Sequence, residues 1–331
     1  MCLKDKGMKG KRLRQSEQAS FAKPALALFK TVLLWLLAVF ALFLLMEMLP
    51  GDAATNKVGK AGPEAVAALR HKMGLDRPAM ERFFAWLRGF LGGHLGNTFL
   101  TGKDVGQTIK TPLLSSLSLS AVVFSGLVLV SIPLSVYCGY YKNALSRLLT
   151  KTAVLLSSVP EFVLTILAMM MLSMKLGILP ILSIPGPGKT VWQNPVSLAM
   201  PSLCLWTICT AAMFRYLRVM IESYARTSYV KEAFLAGLSK SKVLFVHLLP
   251  SALPGIAQIM ASTVPYLLAG SMVVETLTSY PGMGYTLIQA VQSRETPIVM
   301  AIGSFLIATT ILFYSLADYL GRKSNQAGGA G

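Results

Sequence analysis

Ionisable side chains within or beside long apolar runs are the residues of this chain most able to do chemistry. Five occupy such positions: Glu47, Glu161, Lys175, Glu275 and Asp318. A charged group inside a bilayer is costly, so it is usually kept for ion binding, proton transfer or substrate contact. Glu161 follows Pro160 directly. It could face a transport pathway or lie at the cytoplasmic interface, and both interpretations stay open.

The other reactive side chains form no recognisable catalytic or metal-binding set. The three histidines lie far apart, the four cysteines include no C-x-x-C pair, and no G-x-x-x-x-G-K-[ST] phosphate loop occurs. The methionines at 169–171 and Met174 could suggest a pathway for soft metals. Successive residues of a helix point to different faces, however, which favours packing. We therefore expect no catalytic residue, no metal site and no cofactor on this chain itself.

The composition is that of a membrane protein. The chain has 331 residues, of which 54% are hydrophobic and only 14% charged, against about 25% charged in soluble domains. The net charge of +17 could suggest nucleic acid, but the cations flank the apolar runs and form no basic face with interleaved aromatics. The expected partner surface is a lipid bilayer, and no nucleic acid is expected.

Six apolar runs are long enough to cross a bilayer as helices, which predicts an all-α polytopic membrane protein. Prolines within the runs are compatible with this prediction, because neighbouring helices can satisfy the freed carbonyls. The predicted spans are Ala27–Leu49, Leu114–Tyr140, Thr152–Lys175, Pro195–Phe214, Leu253–Val274 and Ile298–Leu320.

The distribution of Lys and Arg predicts the orientation of these spans. With the N-terminus inside, 19 of the 31 cations fall in internal segments and 12 in external ones, nine of them in one long external loop. Cytoplasmic segments are enriched in positive charge, so both termini are expected in the cytoplasm. The chain then divides into a basic, lipid-attracted arm (1–26), a transmembrane domain (27–320) and a cytoplasmic tail (321–331). The domain includes an external loop at about 50–113 and an internal loop at about 215–252.

The external loop is expected to contain two short helices. Pro63 and Gly74 bound the first, and Pro78 and Gly92 or Gly93 bound the second. The second carries a broad apolar face and two arginines. It could lie on the membrane surface or pack as a cap on the bundle, and the sequence does not choose between these positions.

The internal segment EAFLAGLSKSKVLFVHLLP, from Glu232 to Pro250, is basic and helix-forming, with a lone glycine in its middle. A helix is expected to end or bend at Gly237, and a second helix to start at Leu238-Ser239. Ala233, Ala236 and Gly237 would form a small-residue surface that a partner could approach closely. A surface helix with a glycine cap and no partner is the alternative.

Five stretches resemble, in order, the permease subunits of bacterial ABC importers of the dipeptide, oligopeptide and nickel class. YVKEAFLAGLS, followed by VLFVHLLPSALPG, is similar to that family's EAA loop. The family's usual acid would fall at Lys231, one residue before Glu232, and His94 and Ser146 stand where the family commonly has Asp. The other similar stretches are LLMEMLPGDAA, MGLDRPAMERFFAWLRGFLGGHLGNTFLTGKDV, SSVPEFVLTILAMMMLSMKLGILP and VVETLTSYPGMGYTLIQAVQSRETPIV.

The resemblance implies a transport subunit of the cytoplasmic membrane, not an enzyme. Its expected partners are a second homologous permease, one or two cytoplasmic ATPase subunits that hold ATP and Mg, and an extracytoplasmic solute-binding protein. Coupling helices are expected between spans four and five. The residues implied to couple ATP hydrolysis to transport are Glu232, Ala233, Ala236, Gly237, Leu238 and Ser239.

The resemblance also bears on the substrate and on the translocation path. The resemblance favours di- or oligopeptides, with nickel or a metal chelate as the alternative. An ion-driven carrier or a membrane scaffold is the alternative of another class. Candidate residues of the translocation path are Ser125, Ser131, Glu161, Thr207 and Ser262.

Overall fold

The computed structural model describes residues 28–58 and 62–328, and within these ranges every regular element is a helix. The predicted arm at 1–26 and the first residue of the first predicted span lie outside the described residues. In chain order the helices are α1 (Leu28–Met48), α2 (Ala53–Val58), α3 (Pro63–Lys72), α4 (Ala79–Leu91), α5 (Val105–Tyr140), α6 (Ala144–Ser158), α7 (Glu161–Lys175), α8 (Val196–Ala225), α9 (Ser228–Leu235), α10 (Lys240–Leu277), α11 (Met283–Gln292) and α12 (Thr296–Gly328).

Five helices of the described chain are long and apolar enough to cross a membrane: α1, α5, α8, α10 and α12. The helices α6 and α7 meet the same criterion only together, and they are bent by 100° where they join. The prediction of one helix over Thr152–Lys175 is therefore wrong. Val159 is extended, with φ −82° and ψ 127°, because a residue before proline disfavours the helical conformation. Pro160 then begins a new helix in a new direction.

Several helices extend beyond the predicted spans. α8 continues to Ala225 and α10 begins at Lys240, so helix occupies most of the segment predicted as an internal loop at about 215–252. The apolar run marks only the part of a helix that would lie in hydrocarbon, and polar ends can continue the helix into water. α10 contains a π turn at Val243–Leu248, which one residue separates from Pro250. Proline cannot donate to the preceding turn, which accounts for the irregular hydrogen bonding there.

The main core lies between α5, α8 and α10. Leu119, Leu205 and Leu267, one from each helix, are at most 1% exposed. α5 and α8 approach closely at Gly139, where an added Cβ would lie 2.8 Å from atoms of Ile221. Small residues allow this kind of close backbone approach between membrane helices. The outer faces of the described helices carry many exposed large hydrophobic residues, as a bilayer requires.

The second helix of the external loop, α4, packs on the bundle. Phe83 is buried and its ring contacts Phe40 and Phe43 of α1, at centroid distances of 4.9 and 5.4 Å. Arg82 forms an ion pair with Glu47 at the end of α1. These contacts favour the cap interpretation for this face of α4.

A buried carboxylate connects the end of α10 to α5 and α11. Glu275 is fully buried and accepts hydrogen bonds from Ser116 Oγ at 2.6 Å, Ser271 Oγ at 2.9 Å and the Gly284 amide at 2.7 Å. A Cβ at Gly282 would lie 2.4 Å from the Glu275 carboxyl, so this turn closes only with glycine. A buried carboxylate is stable where its oxygens accept hydrogen bonds, and the bonds of this carboxylate join three helices.

Candidate coupling segment and transport cavity

The segment between α8 and α10 is the short helix α9, closed by a turn at Gly237. The Gly237 amide donates to Phe234 O at 3.0 Å, and the Leu238 amide donates to Ala233 O at 3.2 Å. This pair of bonds is the Schellman arrangement of a helix C-terminus. Gly237 has φ +80°, a conformation that side chains with a Cβ rarely adopt. The predicted helix end at Gly237 is confirmed.

Glycine is needed at position 237 for its backbone conformation and not for its small size, because a Cβ there would meet no atom within 4 Å. Ser239 then acts as the N-cap of α10, with its Oγ accepting from the Lys242 amide at 3.4 Å. The second helix predicted to start at Leu238-Ser239 thus begins at Lys240. It continues without interruption into the fifth span.

Exposure divides the predicted coupling residues into two groups. Glu232, Ala236, Gly237 and Ser239 are exposed, and Leu238 is half-buried against the main core. Ala233 is only 8% exposed and packs in that core, so the predicted surface shared by Ala233, Ala236 and Gly237 does not exist in this conformation. The most exposed large apolar side chain of α9 is instead Leu235, at 87%. Sequence reasoning missed it.

α9 is tied to three of the long helices. The Phe234 ring stacks with Tyr140 at the end of α5, with ring centroids 6.4 Å apart. The Tyr229 hydroxyl of α9 donates to His247 O of α10 at 3.3 Å, and the Tyr140 hydroxyl donates to Lys240 O, in the first turn of α10, at 2.9 Å. Val230, on the inner face of α9, is fully buried in the core that includes α8. A displacement of α9 would therefore move the ends of α5, α8 and α10.

Ion pairs hold the loop after α5 against the end of α8. Glu222 accepts from Arg226 at 2.6 Å and pairs with Lys142 at 3.0 Å, and Arg218 lies 3.5 Å away. Three cations around one carboxylate leave net positive charge beside α9. Each exposed pair contributes little alone, but the cluster adds to the fixed geometry of this end of the bundle.

A cavity of about 710 Å³ lies among α6, α7, α8, α10 and α12, beside the bend at Pro160. Its polar lining comes from the joint of α6 and α7 and from α10, and aromatic side chains complete the wall. Glu161 accepts a hydrogen bond from the Tyr266 hydroxyl at 3.2 Å. The polar and aromatic lining residues are Ser157, Glu161, Tyr216, Ser262, Thr263, Tyr266 and Tyr314.

The structure brings together two of the five predicted path residues. Glu161 and Ser262 both line the cavity, whereas Ser125, Ser131 and Thr207 do not. Ser125 and Thr207 instead donate to carbonyls of their own helices, at 2.8 Å each. Such internal bonding is the common fate of serine and threonine in helices. Tyr266 was missed, and its place after Pro265 gives no signal in a single sequence.

The sequence matches two family descriptions that together cover most of the chain. Residues 131–326 match "Binding-protein-dependent transport system inner membrane component". Residues 26–120 match the N-terminal part of the membrane component of the same kind of system. The chain belongs to this family. It is therefore a multi-pass inner membrane component of a binding-protein-dependent transport system, and a transport permease subunit, not an enzyme.

Individual relatives agree with this assignment over nearly the whole chain. The glutathione transport system permease protein GsiC of Pectobacterium atrosepticum is 29% identical over 309 residues, covering 93% of this chain and 97% of the relative. A putative peptide transport system permease protein of Brucella suis biovar 1 is 32% identical over 297 residues, covering 86% and 93%. The Salmonella typhimurium GsiC protein is 29% identical over 294 residues, covering 88% and 94%.

Proposed function

We propose that this chain is one transmembrane subunit of an ATP-driven importer that takes up di- or oligopeptides delivered by an extracytoplasmic binding protein. The permeases it is similar to are named for peptide and glutathione transport, and glutathione is itself a small peptide. The observation that carries the proposal is the exposed helix α9, which is tied to three long helices of a transport subunit.

The proposed complex contains a second homologous permease and one or two cytoplasmic ATPase subunits. ATP and Mg would be held on those ATPases. Both termini of this chain, and α9, would lie in the cytoplasm, and the loop that contains α2, α3 and α4 would lie outside. The excess of Lys and Arg in the internal segments supports this orientation.

The proposed mechanism uses the contacts of α9. Closure of the ATPases would push on Leu235 and its exposed neighbours, and the buried Val230 would pass the movement to the core. The start of α10 and the end of α5 would move with α9, because Tyr140 lies at the end of α5 and its hydroxyl is bonded to α10. Tilting of these helices would open the path between the two permeases alternately to each side. Only a conformation favoured differently by the ATP-bound and ATP-free ATPases can be driven in this way.

Reconstitution tests the proposal. The permease pair, its ATPases and its binding protein are placed in liposomes, and uptake of a labelled tripeptide is measured with ATP and with a non-hydrolysable analogue. We expect uptake only with ATP and binding protein. Uptake that needs no ATPase, or that follows an ion gradient, would refute the proposal. Uptake of nickel in place of the peptide would refute the peptide assignment alone.

A further inference from the structure

We infer that the cavity beside the bend at Pro160 binds the ammonium group of the transported peptide through Glu161. This inference rests on the proposed function and names the chemistry of one site within it. The cavity has the size of a small-molecule site, which typically encloses about 300–1,000 Å³.

Glu161 has one carboxylate oxygen without a partner. Its Oε2 accepts from the Tyr266 hydroxyl at 3.2 Å, whereas Oε1 is buried and has no hydrogen-bond partner among the described residues. A buried carboxylate oxygen without a partner is unfavourable, because it has lost its hydrogen bonds to water and no protein donor replaces them. Because Glu161 lines the cavity, a rotation of its carboxylate would present Oε1 to a donor there and remove this penalty.

The remaining lining favours a cationic donor. Among the described residues that line the cavity, none is Lys or Arg, so no protein cation there competes for Glu161. Arg215 instead donates to Ser157, at the edge of the cavity, at 2.8 Å. Three tyrosines line the wall, and aromatic faces attract ammonium groups. Every unmodified peptide carries such a group at its N-terminus.

The bend between α6 and α7 gives the site its position. Pro160 is the N-cap of α7 and Glu161 is its first residue, so the change of direction places the carboxylate against α10 and not along a continuous helix. Ser262 and Tyr266 are four residues apart on α10 and therefore share one face. A substrate held between α7 and α10 would thus be sensitive to movement of α10, whose first turn is bonded to Tyr140 and lies next to α9.

Cysteine labelling tests the cationic preference without a substrate. Ser262→Cys is introduced into a variant whose four native cysteines are replaced by alanine, because Cys209 lines the same cavity. It is treated in membranes with a trimethylammonium and with a sulfonate methanethiosulfonate reagent of similar size. We expect Glu161→Gln to lower the ammonium-to-sulfonate rate ratio about tenfold, the order expected for loss of a half-buried charge nearby. Glu161→Asp should retain most of the preference. Thr101→Cys, which is exposed in the loop before α5 and lies outside the cavity, should show no dependence on Glu161.

Uptake of trialanine by the reconstituted importer tests whether the site lies on the route. We expect Glu161→Gln to reduce ATP-dependent uptake about tenfold while labelling of Ser262→Cys by an uncharged methanethiosulfonate reagent, and hence the cavity, is unchanged. An unchanged labelling ratio, or unchanged uptake in the variant, would overturn the inference. If wild-type protein takes up no peptide at all, the proposed function fails, and the labelling ratio still decides whether the cavity prefers cations.

Discussion

Replacement of Gly237 by valine should uncouple ATP hydrolysis from transport. The φ of +80° at this position costs a residue with a Cβ roughly 1–2 kcal/mol, and a β-branched residue is at the upper end of this range. No clash adds to this cost, because no atom lies within 4 Å of the position of the new Cβ. A cost of this size lowers the population of the closed turn about 5- to 30-fold relative to open conformations.

The assay is the number of peptides imported per ATP hydrolysed by the reconstituted complex. We expect this ratio to fall about fivefold or more in Gly237→Val, with the protein still present in the membrane. Gly237→Asn should be close to wild type, because asparagine tolerates the left-handed conformation. These two variants separate the backbone requirement from the need for a small residue.

Gly177→Val is the matched control. Gly177 also has a positive φ, of +63°, and open space around its missing Cβ. It lies in the loop after α7, where Ser183 donates to Thr278 O at 2.8 Å, at the end of α10 that is far from α9. We expect a similar strain there but no change in coupling. Wild-type coupling in Gly237→Val, or an equal loss in Gly177→Val, would refute the assignment of α9.

Three further predictions concern buried or capped carboxylates. Glu275→Ala should destabilise the protein by about 3 kcal/mol or more, measured as thermal unfolding in detergent, because the Gly284 amide and two serine hydroxyls lose their acceptor. Glu295→Ala should speed hydrogen exchange at the Leu100 amide, which it holds at 2.6 Å, and leave exchange in α9 unchanged. Burial raises the pKa of Asp52, but bonds from Thr55 and Arg70 outweigh it and hold the pKa below its usual value. The ionised form thus stabilises the fold at neutral pH, and the advantage of wild type over Asp52→Asn in thermal unfolding should disappear as the pH falls below about 4.

The sequence predicted the all-helical membrane architecture because an apolar run long enough to cross a bilayer is typical of a transmembrane helix. It also predicted the helix end at Gly237, since a lone glycine in a helix-forming segment is a local signal. The bend at Pro160 was not predictable, because proline within a span can also be accommodated in one helix by its neighbours. Whether the chain bends at this proline depends on which helices pack around α6 and α7, and that packing is set by the whole bundle.

Side-chain positions in the coupling segment and in the cavity likewise depend on how the whole bundle packs. The inward orientation of Ala233 and the exposure of Leu235 depend on how α9 is rotated against the core, and eight residues are too few to fix that rotation from periodicity. The cavity is assembled from helices that are distant in sequence, so Tyr266 could not be paired with Glu161, 105 residues earlier. Ser131 was predicted to lie on the path, but it is fully buried outside the cavity.

Photocrosslinking from α9 tests the central claim most directly. A photoreactive amino acid replaces Leu235 in the assembled complex, and Leu45, which is 61% exposed on α1, is the control position. We predict a crosslink from position 235 to a nucleotide-binding subunit whose yield changes when a non-hydrolysable ATP analogue is bound, and none from position 45. A complex that imports peptide with ATP yet gives no such crosslink from position 235 would contradict the claim that α9 receives the movement of the ATPases.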